Sequence, residues 1–267
     1  MTIATAQSAL TGANQFLLDV RDRAAYLDGH APGAIHLDLK QWEQIAKTPE
    51  GELDRSEVWW PAIGALGIDG RKPVVVYDDG RMTDAARTWF ILQWHGVDAH
   101  VLDGGWPSLL RTPSVTPDTV EHPAVAARYA APEGYRPAVG LVTKEILKRQ
   151  LDGSVQILDA RTQAEHRGED LRSNARGGHL PGAKLVEHAS FLAEDGTLKS
   201  RQQLNDLLTD AGIVQDAPVV THCDGGGRAA LAAWAAVNAG QQEVSAYYLS
   251  FSDWAKDESC SIVRPES

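Results

Sequence analysis

One cysteine stands where nucleophilic chemistry could be done. In the run Cys223-Asp224-Gly225-Gly226-Gly227-Arg228, the apolar stretch PVVTH from Pro218 delivers a thiol into three consecutive glycines, and a helical stretch starts at Ala229. Glycine loses more conformational freedom on folding than any other residue, so three together imply a backbone that has to curl. Such a loop turns several N–H groups into one concavity, and the helix behind it adds the positive end of its dipole, which makes an anion cradle with sulfur at its base. That field favours thiolate over thiol, the form that attacks. Arg228 would add a planar cationic fork for the oxyanion of a substrate. The bland alternative is a mobile turn beside a small buried thiol. The order strand, cysteine, glycines, arginine, helix favours the chemical reading.

The other reactive side chains carry weaker signals. His222 falls on the opposite face of its strand from Cys223 by the two-residue period, which suits a hydrogen-bonded support better than a general base. Cys260 lies in the polar tail ESCSIV without a cradle, a bystander first and a resolving thiol second. These two cysteines have neither CxxC nor Cys/His ligand spacing, so no zinc site is indicated, and a bridge between them is disfavoured in a reducing compartment. No metal or organic cofactor is expected.

The elements that must position this loop occur twice. LLDVRDRAAYLDGHAPGA at residues 17–34 returns as ILDARTQAEHRGEDLRSNARGGHLPGA at 157–183, with Asp-x-Arg and Gly-His-x-Pro-Gly-Ala in the same order. PVVVYDDG from Pro73 matches PVVTHCDG from Pro218, and Trp89 and Trp234 share that offset of 145 residues. A period near half the chain is domain duplication, not a solenoid. Within each copy, short β-branched runs (FLLDV, PVVVY; VQILDA, PVVTHC) alternate with helical stretches (DAARTWFILQWHG; RAALAAWAAVNAG, closed by Gly240). That alternation predicts an α/β fold in which each copy is a doubly wound parallel sheet flanked by helices. The expected boundaries are 1–112 for the first domain, 113–137 for a proline-bearing linker lying extended over both domains, and 138–267 for the second.

The 267 residues suit two domains, and 43% hydrophobic with 23% charged residues is an ordinary globular composition. Thirty-six acidic against 25 basic residues leave a formal charge of −11, which repels nucleic acid and anionic membranes. No basic leader and no apolar run of about 20 residues appear, so the protein is expected to be cytoplasmic and not a membrane protein.

The repeated Gly-His-x-Pro-Gly-Ala signature, the Cys-x4-Arg loop opening a helix, and the closing segments DGGW and SFSDW resemble the tandem-domain rhodaneses, the thiosulfate and 3-mercaptopyruvate sulfurtransferases, over nearly the whole chain. The resemblance implies two rhodanese-like domains of five parallel strands each, with the active site in the second and facing the cleft between them. It also implies that arginines upstream of the second Gly-His-x-Pro-Gly hold the substrate anion. Arg176 ranks first and Arg172 second, both in RGEDLRSNARG, an insertion absent from the first copy; the plain alternative is a polar surface loop. Asp78 stands where Cys223 does and cannot carry sulfur, so the first domain is read as non-catalytic, with amides that need not converge. Arg81 and Arg87 are taken as solvated charges, and His30, Asp159 and His179 as structural, with Asp-x-Arg closing a strand end.

The reaction implied is ping-pong: Cys223 thiolate takes the outer sulfur of a small anionic donor, Asp224 to Arg228 cradle the persulfide, and cyanide or a thiol accepts it, a thioredoxin-like protein being one candidate acceptor. Mercaptopyruvate transferases resemble Cys-Gly-Ser-Gly-Val-Thr in this loop. Their hydroxyls are missing here and an arginine closes the loop, so thiosulfate is the expected donor and 3-mercaptopyruvate the alternative. Leu249 replaces the glycine often found before the Ser-aromatic pair, which would narrow the cleft. A cysteine phosphatase is disfavoured because those enzymes resemble Cys-x5-Arg, one residue longer, and a non-catalytic sulfur-relay module leaves the loop without an economical purpose.

Overall fold

The computed structural model describes residues 3–11, 14–48, 52–113 and 115–264. The chain forms two compact units, Met1–Pro137 with Asp195–Thr197, and Ala138–Glu194 with Leu198–Ser267. In the first, β1 (Ile3–Ala4), α1 (Ala6–Thr11), β2 (Phe16–Asp19), α2 (Arg23–Asp28), β3 (Ile35–His36), α3 (Leu39–Ile45), α4 (Ser56–Ala65), β4 (Val74–Tyr77), α5 (Thr83–Trp94), β5 (Ala99–Leu102) and α6 (Gly105–Leu110) follow one another. The second runs β6 (Gly140–Leu141), α7 (Lys144–Arg149), β7 (Gln156–Asp159), α8 (Gln163–Arg167), β8 (Ala183–Leu185), α9 (Arg201–Asp210), β9 (Val219–His222), α10 (Gly227–Ala239), β10 (Val244–Ala246) and α11 (Ser250–Trp254), with a 3₁₀ turn at His188–Phe191.

Both sheets are five-stranded and parallel, ordered β1-β5-β4-β2-β3 and β6-β10-β9-β7-β8, the same order once the second is renumbered. The doubly wound fold expected from the alternation is the one observed. Every residue of β4 and of β9 is buried, as it must be in a central strand covered on both faces. Small side chains let α10 lie close on its sheet, with Ala229 to Ala236 buried throughout. Leu249 packs against the Tyr247, Phe251 and Trp254 cluster of the second unit. Residues 115–137 run along the first unit: Asp118 pairs with His30 through backbone bonds, Ala127 N–H donates to Gly64 O, and the Tyr129 hydroxyl donates to His95 O. No helix among the described residues is long and apolar enough to cross a membrane.

The duplication extends to side chains. Arg21 clamps Asp19 and donates to Gly29 O, while Arg161 clamps Asp159 and donates to Gly178 O. Each guanidinium lies over an aromatic ring, Trp106 at 4.5 Å and Phe251 at 4.0 Å. Asp-x-Arg thus closes the end of β2 and of β7 through local bonds, including Arg21 N–H and Arg161 N–H to the aspartates two residues back. In each sheet the chain leaves the second strand in one direction and returns on its other side, so the switch point lies at the carboxyl ends of β2/β4 and β7/β9. Open α/β sheets bind ligands there.

Candidate active site

Cys223 follows β9 directly, at the β7/β9 switch point, and is 1% exposed. Its Sγ accepts the Gly226 N–H at 3.0 Å. From the far side comes Ser250, whose Oγ accepts the Cys223 N–H at 3.0 Å and lies 3.7 Å from Sγ. The two loops are sewn together by Phe251 N–H to Cys223 O and Ser252 N–H to Asp224 O. Of the three glycines, Gly226 is the one that needs to be glycine for its conformation: φ is +100°, and a Cβ would meet Tyr248 O at 2.7 Å. Gly225 has open space and Gly227 begins α10. One left-handed residue, not three, makes the curl.

Ser250 is the residue that sequence reasoning missed. It holds φ +60°, a left-handed conformation costly for any side chain, and the place 145 residues earlier is taken by Gly105 at φ +56°. A serine in the slot where the first copy keeps glycine was the available signal.

Arg228 needs correction. Rather than presenting a free fork, its guanidinium holds Glu165 through two bonds, Nη1 at 2.6 Å and Nη2 at 2.8 Å, with side chains 15% and 1% exposed. Glu165 is also the capping-box residue of α8, accepting from the N–H and hydroxyl of Thr162. Burial works to raise its carboxyl, but the Arg228 and Thr162 bonds outweigh that and hold it at about 2. Arg228 is raised in turn by Glu165 against its own burial. The ion pair is a strut across the switch point, and it neutralises most of the charge that would attract a donor.

Arg176 is corrected more fully. Its guanidinium donates to the carbonyls of Ala255, Cys260, Trp254 and Asp257, tying together the end of α11 and the turn that follows it. With four donors spent on backbone, little remains for a substrate anion. Arg172 is exposed, in a left-handed turn (φ +52°) whose N–H donates to Asp170. The insertion still reaches the loop, through Asn174, whose amide donates to Asp224 at 2.7 Å.

His222 is fully buried, with Nδ1 3.3 Å from Cys223 O and Nε2 3.7 Å from Asp159. Burial takes it down to about 4 despite the nearby carboxylate, so it is a neutral support at pH 7. Asp159 is held well below the carboxylate range by His222, His166 and Arg161 in spite of its burial. His179 stacks on His166 at 3.8 Å. Cys260 is a free thiol, as is Cys223; burial and Asp257 raise it, and it packs in the core beside Trp254.

The first copy shows what the cradle can hold. Asp78 accepts four backbone N–H bonds, from Gly80, Met82, Asp84 and Ala85. Its amides therefore do converge, against expectation, because Gly80 (φ +97°) and Met82 (φ +63°) both take positive φ, which a triple glycine was thought to be needed for. The cradle is filled by its own carboxylate, which burial nevertheless raises to about 6. Arg87 is also corrected: only 12% exposed, it pairs with Glu43, whereas Arg81 is 74% exposed and pairs with Asp79.

The rhodanese-like domain family matches residues 2–112 and 143–257. The chain belongs to the rhodanese family. Its relatives include the SseB protein of Mycobacterium tuberculosis (33% identical, covering 90% of this chain and 88% of that one), the 3-mercaptopyruvate sulfurtransferase of Escherichia coli (29%; 86% and 81%), and the thiosulfate sulfurtransferase of Azotobacter vinelandii (29%; 93% and 90%). Among solved structures, an anaerobic ergothioneine biosynthesis enzyme from Chlorobium limicola matches with TM-score 0.84 and 23% identity, covering all of this chain and 71% of that one, a likeness of fold. The first match spans a complete sheet of this chain, and the second spans β7 to β10 of the other sheet with the Cys223 loop.

Proposed function

We propose that this rhodanese is a sulfurtransferase that carries sulfane sulfur on Cys223, with thiosulfate as donor. The observation that carries the reading is the setting of Cys223 Sγ: at a parallel-sheet switch point, 3.0 Å from the Gly226 N–H and 3.7 Å from the Ser250 hydroxyl. In the first half-reaction the thiolate attacks the outer sulfur of thiosulfate; the S–S bond of the donor breaks and sulfite leaves with the electron pair. The enzyme is left as Cys223–S–S⁻, whose terminal sulfur is held by loop donors of the kind that hold Asp78 in the first copy. Cyanide or a thiolate then attacks that sulfur, leaving as thiocyanate or a persulfide and returning Cys223 as thiolate. The Ser250 hydroxyl, which donates to Tyr247 O at 2.8 Å, turns its one proton to the sulfur 3.7 Å away when charge develops there.

Donor choice rests on the loop, which has no hydroxyl side chain between Cys223 and Arg228 to meet an organic carboxylate. One observation favours 3-mercaptopyruvate instead: Glu165 neutralises Arg228, and a singly charged carboxylate needs less positive field than a dianion. Thiocyanate formation with each donor, in wild type and Cys223→Ala, tests both. Thiosulfate turnover that disappears in the variant supports the proposal. Preference for 3-mercaptopyruvate replaces the donor, and turnover retained by Cys223→Ala removes the mechanism.

A further inference from the structure

A second group of chemistry-bearing residues lies in the first unit, apart from Cys223. His30 is 0% exposed, and its Nδ1 lies 2.7 Å from Tyr26 O. A carbonyl oxygen can only accept, so Nδ1 donates to it, and Nε2 lies on the other side of the ring. That Nε2 is buried with no hydrogen-bond partner. Close to His30 are Asp118 and His122, paired at 2.7 Å, and one ligand atom from each of the three residues lies within 4.8 Å of the other two.

The three are held from behind. Tyr26 stacks on His30 at 3.8 Å and its hydroxyl accepts the His122 N–H. Asp118 is locked by two backbone bonds to His30, and its Oδ1 accepts the Val120 N–H. A histidine whose far nitrogen donates to a backbone carbonyl has the orientation and tautomer of a metal ligand. His122 and Asp118 are 38% and 26% exposed, which leaves a path in from solvent.

We propose that His30 Nε2, His122 and Asp118 bind one divalent transition-metal ion of the zinc class, with a fourth position open to water. Two imidazoles and a carboxylate suit zinc and its neighbours and disfavour magnesium and calcium. Bonds of 2.0–2.1 Å in a tetrahedron place ligand atoms roughly 3.3 Å apart, within a small tightening of the present cluster. Among the described residues the second copy has no such cluster, since His179 pairs there with Val263 and stacks on His166. The site therefore comes from the segment after the first domain's last helix, and the ion would pin residues 118–122 to the His30 loop.

Full-length protein stripped with a chelator would be titrated calorimetrically with zinc chloride, alongside His122→Ala and Asp118→Asn, and its thermal midpoint measured with and without zinc. The expected result is one ion per chain, weakened at least about tenfold in either variant, with a zinc-dependent rise in midpoint that both variants lose while still unfolding cooperatively. Cobalt should give visible bands without a thiolate charge-transfer band, and Cys223→Ala should keep the site. No saturable binding, or binding that survives both variants, overturns the proposal.

Discussion

Ser250 separates stability from catalysis, because its conformation and its hydroxyl can be removed independently. Ser250→Ala keeps the left-handed backbone but takes away the oxygen that accepts the buried Cys223 N–H. An unsatisfied buried donor costs about 1–3 kcal/mol. Ser250→Gly loses the same bond but relieves the left-handed strain, worth about 1–2 kcal/mol, and reproduces what Gly105 does in the first copy. The glycine variant should therefore be more stable than the alanine variant by about that strain energy. In turnover the two should be alike, since both lose the hydroxyl that lies 3.7 Å from Sγ and can turn from Tyr247 O to donate there. For so long a contact the low end of a charge-assisted bond applies, about 1.5 kcal/mol, or roughly tenfold in kcat/KM. Urea unfolding and initial rates of thiocyanate formation read the two effects on the same preparations. Equal destabilisation of both variants would refute the strain argument, and wild-type kcat/KM in Ser250→Ala would refute the role given to the hydroxyl.

Other consequences follow from the charged groups. Glu165 is held at about 2 against an ordinary 4.5, so its contribution to stability is present above about 4.5 and is lost as pH falls through about 2. Glu165→Gln should flatten that acid limb in urea midpoints and cost about 3 kcal/mol at neutral pH by leaving Arg228 unpaired. Asp78 has the opposite sign: raised from 3.8 to about 6, it contributes fully below 3.8 and loses that contribution as pH rises through about 6. The stability advantage of wild type over Asp78→Asn should therefore shrink across that window, and a constant difference would contradict it. Arg176→Ala should lower the unfolding free energy by at least about 2 kcal/mol for its carbonyl bonds, while leaving KM for thiosulfate within about twofold. A tenfold rise in KM without lost stability would return Arg176 to the donor anion.

The duplication made the fold legible before any coordinates: two Asp-x-Arg strand ends, two Gly-His-x-Pro-Gly-Ala turns and one constant offset specify two like sheets. The loop around Cys223 was legible too, since the curl at Gly226 and the start of α10 are local consequences of local residues. The arginines were not. Arg228 meets Glu165 across 63 positions, and Arg176 meets carbonyls about 80 positions away, pairings that only the sheet order brings about. A free arginine and a spent one have the same sequence. Ser250 lay between the two cases, invisible alone but marked by the glycine opposite it in the first copy. Asp78 misled for a physical reason: converging amides were ascribed to a run of three glycines, whereas one glycine, Gly80, and a left-handed methionine, Met82, turn this loop.

The central claim is that sulfur rides on Cys223. Protein mixed with thiosulfate in the absence of an acceptor, digested and mapped by mass spectrometry, reads it directly. The account predicts one added sulfur atom on the peptide carrying Cys223, released by cyanide, with the Cys260 peptide unchanged. An unmodified Cys223 peptide under conditions where the same preparation turns over would contradict it.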